Sequence, residues 1–268
     1  MKRKAVLVLL DGLNHPVASH AMGHLLAWCA ADRAALYRLD CELPALSRPL
    51  YECILTGVPP IDSGIVHNDV SRLSRERSLF HIARDAGLST AAAAYHWFSE
   101  LYNRSPFDPA RDRHTEAPEL PIQYGHFYWA DHYPDAHLFA DAEHLRLRHS
   151  PDVLLVHPMN IDDAGHKHGL DSAQYRNAAR MADVILAEYL QRWVDAGYQV
   201  MVTADHGMNA DRSHNGTLPE EREVPLFVIG DAFSLDPTAR PLQTELCGTL
   251  CELLGIPHYK PFCRELLK

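Results

Sequence analysis

The stretch Val200–Ala204, ending abruptly in Asp205-His206-Gly207, constrains the fold of this chain more than any other part of it. A short apolar run that stops at a point is the pattern of a strand buried on both faces in a parallel sheet. Open α/β sheets place ligands at the carboxyl ends of such strands. The pattern recurs. Ala5–Leu10 ends at Asp11-Gly12, and Val153–Val156 ends at His157-Pro158. Tyr175–Ala196, amphipathic and closed by Gly197, has the length of a helix crossing over to the Val200 strand. The expected architecture is α/β, a three-layer α/β/α sandwich with a mostly parallel central sheet.

Other segments fill in that frame. Ala18–Ala35 is Ala- and Leu-rich and predicts a helix; Ser78–Ala86, closed by Gly87, predicts another, and Thr244–Leu254 a last one before Gly255. Ser89–Ala94 and Val224–Ile229 predict strands. From Asn103 to His149 the composition turns to Pro, Asp, His and aromatics, which suggests an inserted cap on a single catalytic domain spanning 1–268. A chain of 268 residues is long enough for one full α/β core and short for two. The basic start Met1-Lys2-Arg3-Lys4 precedes an apolar run too short for a signal-peptide core or a membrane span. The six cysteines, with no CxxC pair, are therefore expected as reduced thiols in a cytoplasmic protein without a membrane partner. The net charge of −10 argues against a stable nucleic-acid complex, which needs a basic footprint, and leaves small anionic substrates and self-association open.

The strand ends and adjoining loops offer Asp11, Ser47, Asp162, His166, Asp205, His206 and His214. Asp162 and His166 are four apart across a small-residue turn, near enough to share an ion if the loop folds back. Carboxylates with imidazoles and no thiolate suit two divalent ions, Zn²⁺ foremost with Mn²⁺ or Fe as alternatives. Two such ions would hold attacking and leaving oxygens in line and lower the pKa of a bound hydroxyl, making Ser47 a metal-activated nucleophile. Ser47 precedes Pro49 and an apolar stretch, so it reads either as an ordinary helix cap or as a group at an anion-favouring helix start. Arg48 is either an anion clamp or a solvated cation. Asn68, in the turn Asp62–Asn68, is either an oxyanion donor or a turn residue. Trp97, Tyr124, Phe127 and Trp129 are aromatic candidates for a substrate wall or for the cap's own core.

In combination these segments are specific. Asp11-Gly12, Ser47-Arg48-Pro49 through Leu55-Thr56-Gly57, Ser63–Asn68, Tyr95-His96-Trp97, Asp162–His166, Thr203–Gly207 and His214 resemble the alkaline phosphatase superfamily, and most closely its nucleotide pyrophosphatase/phosphodiesterase branch. The resemblance implies one ion held by Asp162, His166 and His214, and a second by Asp11, Asp205 and His206, with the Ser47 oxygen between them. It implies that Ser47 attacks phosphorus to give a phosphoseryl intermediate, and that Asn68 and the Arg48 backbone amide receive a phosphate oxygen; the Arg48 side chain, itself a departure from the family, and Trp97 are further candidate substrate-binding groups. Two departures stand out. The branch usually has Thr where this chain has Ser47, and its usual Phe-Pro-Asn-His is Arg48-Pro49-Leu50-Tyr51. The sulfatase pattern is partial, because Tyr51 stands where that pattern has Arg. The expected function is a dinuclear-metal phosphoric ester hydrolase, foremost a phosphodiesterase or nucleotide pyrophosphatase. The alternatives are a phosphomonoesterase or a phosphonoacetate-type phosphonate hydrolase; a phosphomutase, which needs a large closing domain, and a non-catalytic phosphate-binding protein come behind them.

Overall fold

The computed structural model describes residues 3–268; Met1 and Lys2, the first half of the basic amino terminus, lie outside them. Eight strands form one mixed sheet, β1 (Lys4–Leu9), β2 (Ala34–Asp40), β3 (Thr90–Tyr95), β4 (His114–Glu116), β5 (Tyr124–Tyr128), β6 (Val153–Val156), β7 (Tyr198–Thr203) and β8 (Glu223–Ile229). Their spatial order is β2-β8-β7-β1-β6-β3-β5-β4. The five central strands, β7 to β5, run parallel, while β2, β8 and β4 pair antiparallel. Helices cover both faces. On one lie α1 (His15–Ala21), α2 (Gly23–Ala30) and, later in the chain, a group described below; on the other lie α3 (Ser47–Thr56), the single turn α4 (Pro60–Ser63), α5 (Leu79–Asp85) and α6 (Trp97–Tyr102). The one-turn α7 (Pro109–Asp112) leads into β4. The first face is completed by α8 (Asp135–His149), α9 (Asn160–His168) and α10 (Ala173–Asp195), and the second by α12 (Leu246–Leu254), with α11 (Pro219–Arg222) a single turn before β8.

Because both faces are covered, β3, β6 and β7 are buried at every position and β1 at all but its first. That is why they read as continuous apolar runs rather than alternating ones. Trp193 of α10 is fully buried against Phe139 of α8, ring centroids 6.2 Å apart, so the two longest helices of that face share an aromatic contact.

Three expectations change. Residues 103–149 are not a cap: β4 and β5 extend the sheet, and α8 packs on β3, β5 and β6. The polar, aromatic composition that suggested a cap belongs to an edge of the sheet, where half-exposed strands keep polar residues. The predicted helix Ala18–Ala35 breaks into α1 and α2, and its end is the start of β2. The break follows from Asp183 of α10, whose carboxylate accepts the His24 and Leu25 amides at 2.7 and 3.1 Å and so restarts the helix after Met22. His20 and His24 therefore sit on different helices. Finally, Asp162 and His166 lie on α9, so their spacing is one helical turn rather than a folded-back loop.

The topology decides where chemistry can gather. β1 lies between β6 and β7, with Leu9 paired to Thr203 and Val8 to Val156. Carried two residues on, the β1–β7 register sets Asp11 level with Asp205, while His157, one residue beyond β6 and level with Leu9, reaches Asp11 through its side chain. No helix among the described residues is long and apolar enough to cross a membrane, and all six cysteines are free thiols.

Candidate functional site

Asp11, Asp205 and His206, fully buried at the ends of β1 and β7, bring one ligand atom each to within 4.8 Å of one another; Asp162, His206 and His214 do the same. Gly12 makes this convergence possible. Its φ of +72° turns the chain sharply, and a Cβ there would stand 2.8 Å from Asp162 Oδ1 and 2.9 Å from the Asp162 backbone. Only a glycine lets α9 approach β1 closely enough. The loop is then fastened from α10: Tyr175 donates its hydroxyl to the Gly12 carbonyl at 2.5 Å and accepts the Asn14 amide. On the far side, the Gln243 amide donates to the Asp205 carbonyl at 2.7 Å.

The histidines are set by their outer nitrogens. His166 Nδ1 donates to the Arg212 carbonyl, His206 Nδ1 to the Gly207 carbonyl and His214 Nδ1 to the Ala45 carbonyl, at 3.0, 2.9 and 2.6 Å. A carbonyl only accepts, so Nδ1 carries the hydrogen in each, and each Nε2 presents a lone pair inward. His206 and His214 stack with centroids 3.6 Å apart. His166 Nε2 lies 3.2 Å from His214 Nε2 and 3.4 Å from Asp162 Oδ2, completing the expected set of Asp162, His166 and His214, although the more tightly gathered triad shares His206.

These residues fit divalent cations. Asp11 Oδ1, Asp162 Oδ1 and Asp205 Oδ2 are buried with no hydrogen-bond partner among the described residues, while Asp205 Oδ1 accepts the Gly12 amide at 3.2 Å. Three orphaned carboxylate oxygens beside inward lone pairs are costly in a protein interior and are the donor set of a cation site. Electrostatics agree. Burial and the charge of Asp11 push the Asp162 carboxyl well above the usual range and do the same to Asp205. Burial would also raise Asp11, but the His157 hydrogen bond and the nearby His206 outweigh it and bring Asp11 down to about 2. Burial, with His206 next to it, takes His214 down to about 3 and keeps its imidazole neutral, as a metal ligand must be.

Ser47 is the first residue of α3, and Leu46 is its N-cap, so Ser47 stands at the helix start rather than at the capping position ahead of it. Its Oγ is 3.0 Å from His206 Nε2. The amide of Arg48 donates to Asn68 Oδ1 at 3.0 Å, so the two groups expected to receive a phosphate oxygen are adjacent and bonded to each other. Arg48 itself is buried: Nη2 donates to Glu100 Oε2 at 2.7 Å, the guanidinium lies 4.5 Å from the Trp97 ring centroid, and Nε and Nη1 have no partner among the described residues. Its charge is thus met by Glu100, a partner with no signal in the local sequence. Trp97 is half-buried, 6.2 Å from Tyr51 between ring centroids. Tyr124 stacks on His149 and Phe127 is buried, both in the sheet rather than facing Ser47, while Trp129 is exposed.

Two site residues had no assigned role in the sequence. His157 ends β6 as Asp205 ends β7, and its Nε2 donates to Asp11 Oδ2 at 3.1 Å. Tyr51, one turn after Ser47, donates its hydroxyl to the same Oδ2. Strand-end position was the available signal for the first and helical spacing for the second.

A parallel-centred sheet with a serine at a helix start, facing two overlapping carboxylate–imidazole triads at the strand ends, is the arrangement of the alkaline phosphatase superfamily. The sequence profile of the type I phosphodiesterase/nucleotide pyrophosphatase family matches residues 5–219, and the chain belongs to that family. It is 22% identical over 284 residues to the catalytic subunit of human GPI ethanolamine phosphate transferase 2, covering 98% of this chain and 27% of that protein. The chain spans only about a quarter or less of the length of the curated relatives it matches, down to 10% for human GPI ethanolamine phosphate transferase 3. The fold is similar to that of inactive murine ectonucleotide pyrophosphatase/phosphodiesterase 5 in complex with AMP, with a TM-score of 0.75, 13% identity, and 99% and 100% of the two chains covered. It is also similar to the C-terminal periplasmic domain of EptC from Escherichia coli in complex with Zn, with a TM-score of 0.67, 14% identity, and 96% and 84% covered.

Proposed function

We propose that this chain acts on small phosphoric diesters through Ser47, as a phosphodiesterase whose phosphoseryl intermediate is resolved by water or by an acceptor alcohol. The observation that carries the reading is the convergence of three orphaned carboxylate oxygens and three inward Nε2 atoms beside Ser47 Oγ. Family membership supports action on phosphoric esters. Two divalent cations, zinc being the favoured choice, would offset the buried carboxylates, lower the pKa of the serine hydroxyl and polarise the phosphoryl oxygens. Asp162, His166 and His214 would hold one; Asp11, Asp205 and His206 the other.

The chain's own groups supply the remainder. Ser47 Oγ gives up its proton and forms a bond to phosphorus as the bond to the leaving oxygen breaks, and that proton ends on the leaving alkoxide to give the alcohol. The amino end of α3 directs backbone amides at the phosphoryl oxygens, where negative charge builds in the transition state. An incoming oxygen replaces Asn68 Oδ1 as acceptor of the Arg48 amide, and the Asn68 Nδ2 group is free to donate to it. In the second half-reaction the Ser47–phosphorus bond breaks and the incoming hydroxyl takes its place. Transfer to an alcohol is a second reading, supported by relatives named ethanolamine phosphate transferases. A small phosphorylated substrate is favoured over a nucleic acid because the net charge is −10.

The test is hydrolysis of bis-p-nitrophenyl phosphate against p-nitrophenyl phosphate by zinc- or manganese-loaded protein, with Ser47→Ala beside it and glycerol as acceptor. Diester turnover that disappears in Ser47→Ala is the expected result. A phosphoglycerol product above the molar share of glycerol would establish transfer. Turnover surviving in Ser47→Ala, or a preference for the monoester, would sink the diesterase reading.

A further inference from the structure

Asp11 Oδ2 is engaged twice and Asp11 Oδ1 not at all. Tyr51 and His157 both donate to Oδ2, while Oδ1 is buried with no hydrogen-bond partner among the described residues, 3.5 Å from His206 Nε2. His157 therefore carries its hydrogen on Nε2, the reverse of the arrangement in His166, His206 and His214; it serves the carboxylate and presents no lone pair to the centre. Both donors are rigidly held. Tyr51 is fully buried, stacked on Phe98 at 4.5 Å and edge-on to His157 at 4.7 Å. His157 is fully buried, touches Phe98 at 4.9 Å, and its carbonyl accepts the Tyr128 hydroxyl at 2.7 Å.

We infer that Tyr51 and His157 are positioning residues that hold Asp11 as a one-oxygen ligand, so that its Oδ1 alone is presented to the cation at the Asp11–Asp205–His206 position. The inference rests on the metal reading of that centre. A buried carboxylate with two free oxygens can rotate or chelate with both; two donors on Oδ2 remove that freedom beforehand, and the ordering is not left for binding to supply. Tyr51 adds a second constraint. It lies on α3 one turn beyond Ser47, so the same hydrogen bond that orients Asp11 also ties the helix carrying the nucleophile to the end of β1. Asp162 has no comparable pair of donors, so the effect belongs to one cation position.

The experiment is a zinc titration of metal-stripped full chain, read by competition with a chromophoric chelator. Tyr51→Phe keeps the ring stack on Phe98 and removes only the hydroxyl; Tyr198→Phe removes a hydroxyl bound to the Pro151 carbonyl at the other end of the sheet and is the control. Two zinc ions per wild-type chain are expected. Tyr51→Phe should weaken one of the two binding constants about 10- to 100-fold and leave the other unchanged. His157→Leu should weaken the same one, and His157→Gln, which keeps an N–H donor, should recover part of the loss. With zinc in excess the Tyr51→Phe rate should return towards wild type, since the hydroxyl acts through occupancy. Two unchanged constants in Tyr51→Phe, both weakened equally, or the same loss in Tyr198→Phe would overturn this inference alone. A wild-type chain that binds fewer than two zinc ions would overturn it together with the centre on which it rests.

Discussion

Asp205→Asn should make the metal-free protein more stable and abolish tight metal binding, and the size of the gain should depend on pH in a set way. In the wild type, burial and the charge of Asp11 hold the folded Asp205 carboxyl well above its unfolded value of 3.8. A carboxyl raised on folding favours the folded state at low pH, where both states are protonated, and this contribution is lost as pH climbs from the unfolded pKa towards the folded one. Over that window the unfolded chain has released a proton that the folded chain retains, a cost of about 1.4 kcal/mol per pH unit. The amide that replaces this carboxyl in the variant has no proton to release. His206 and His214, lowered by burial, tilt stability the opposite way below their unfolded value of 6.5, but they are present in both proteins and drop out of the difference. Urea unfolding in chelator at pH 5 and pH 6 should therefore show the variant gaining on the wild type between the two, by up to about 1.4 kcal/mol from the Asp205 proton itself. Saturating zinc should reverse the ranking, since a ligand at 100 times its Kd adds about 2.7 kcal/mol to the protein that binds it. A stability gap that stays constant from pH 5 to pH 6, or one that grows in favour of the wild type, would refute the reasoning.

Asn68→Ala should lower kcat about 10²- to 10³-fold at little change in zinc stoichiometry, checked by steady-state kinetics beside metal analysis, because in the proposed reaction it removes a donor to charge that develops in the transition state. Gly12→Ala should cost roughly 1–2 kcal/mol for its left-handed backbone alone, and should also lose zinc from the Asp162 position, because the added carbon meets Asp162 Oδ1 at 2.8 Å; denaturant unfolding and metal content measure the two effects.

The central strands were legible because each is covered on both faces, so Ala5–Leu10, Val153–Val156 and Val200–Ala204 could be read without their neighbours. β2 was not legible. It is an edge strand, Ala-Ala-Leu-Tyr-Arg-Leu-Asp, whose partner β8 lies near the other end of the chain, and the alanines before it continue a helical pattern that only the Asp183 carboxylate interrupts. β4 and β5 escaped for the same reason, sheet edges being polar enough to look like an insertion. At the site, Asp11, Asp205 and His206 could be placed because strand ends are visible in sequence. The Glu100 partner of Arg48 and the Tyr175 clasp on Gly12 could not, since each depends on a contact between elements far apart in the chain.

The pairing of β6, β1 and β7 has a consequence for how such a centre tolerates change. Asp11, His157 and Asp205 are placed by backbone ladders, which are indifferent to the side chains along them. Residues within the strands can drift widely provided they stay apolar, and the spacing of the three groups survives. Insertions are another matter. One extra residue inside β1 would advance Asp11 by about 3.3 Å and turn it to the opposite face of the sheet. The connecting loops absorb additions freely, whereas the three central strands act as fixed rulers whose length, more than their composition, is what the chemistry reads.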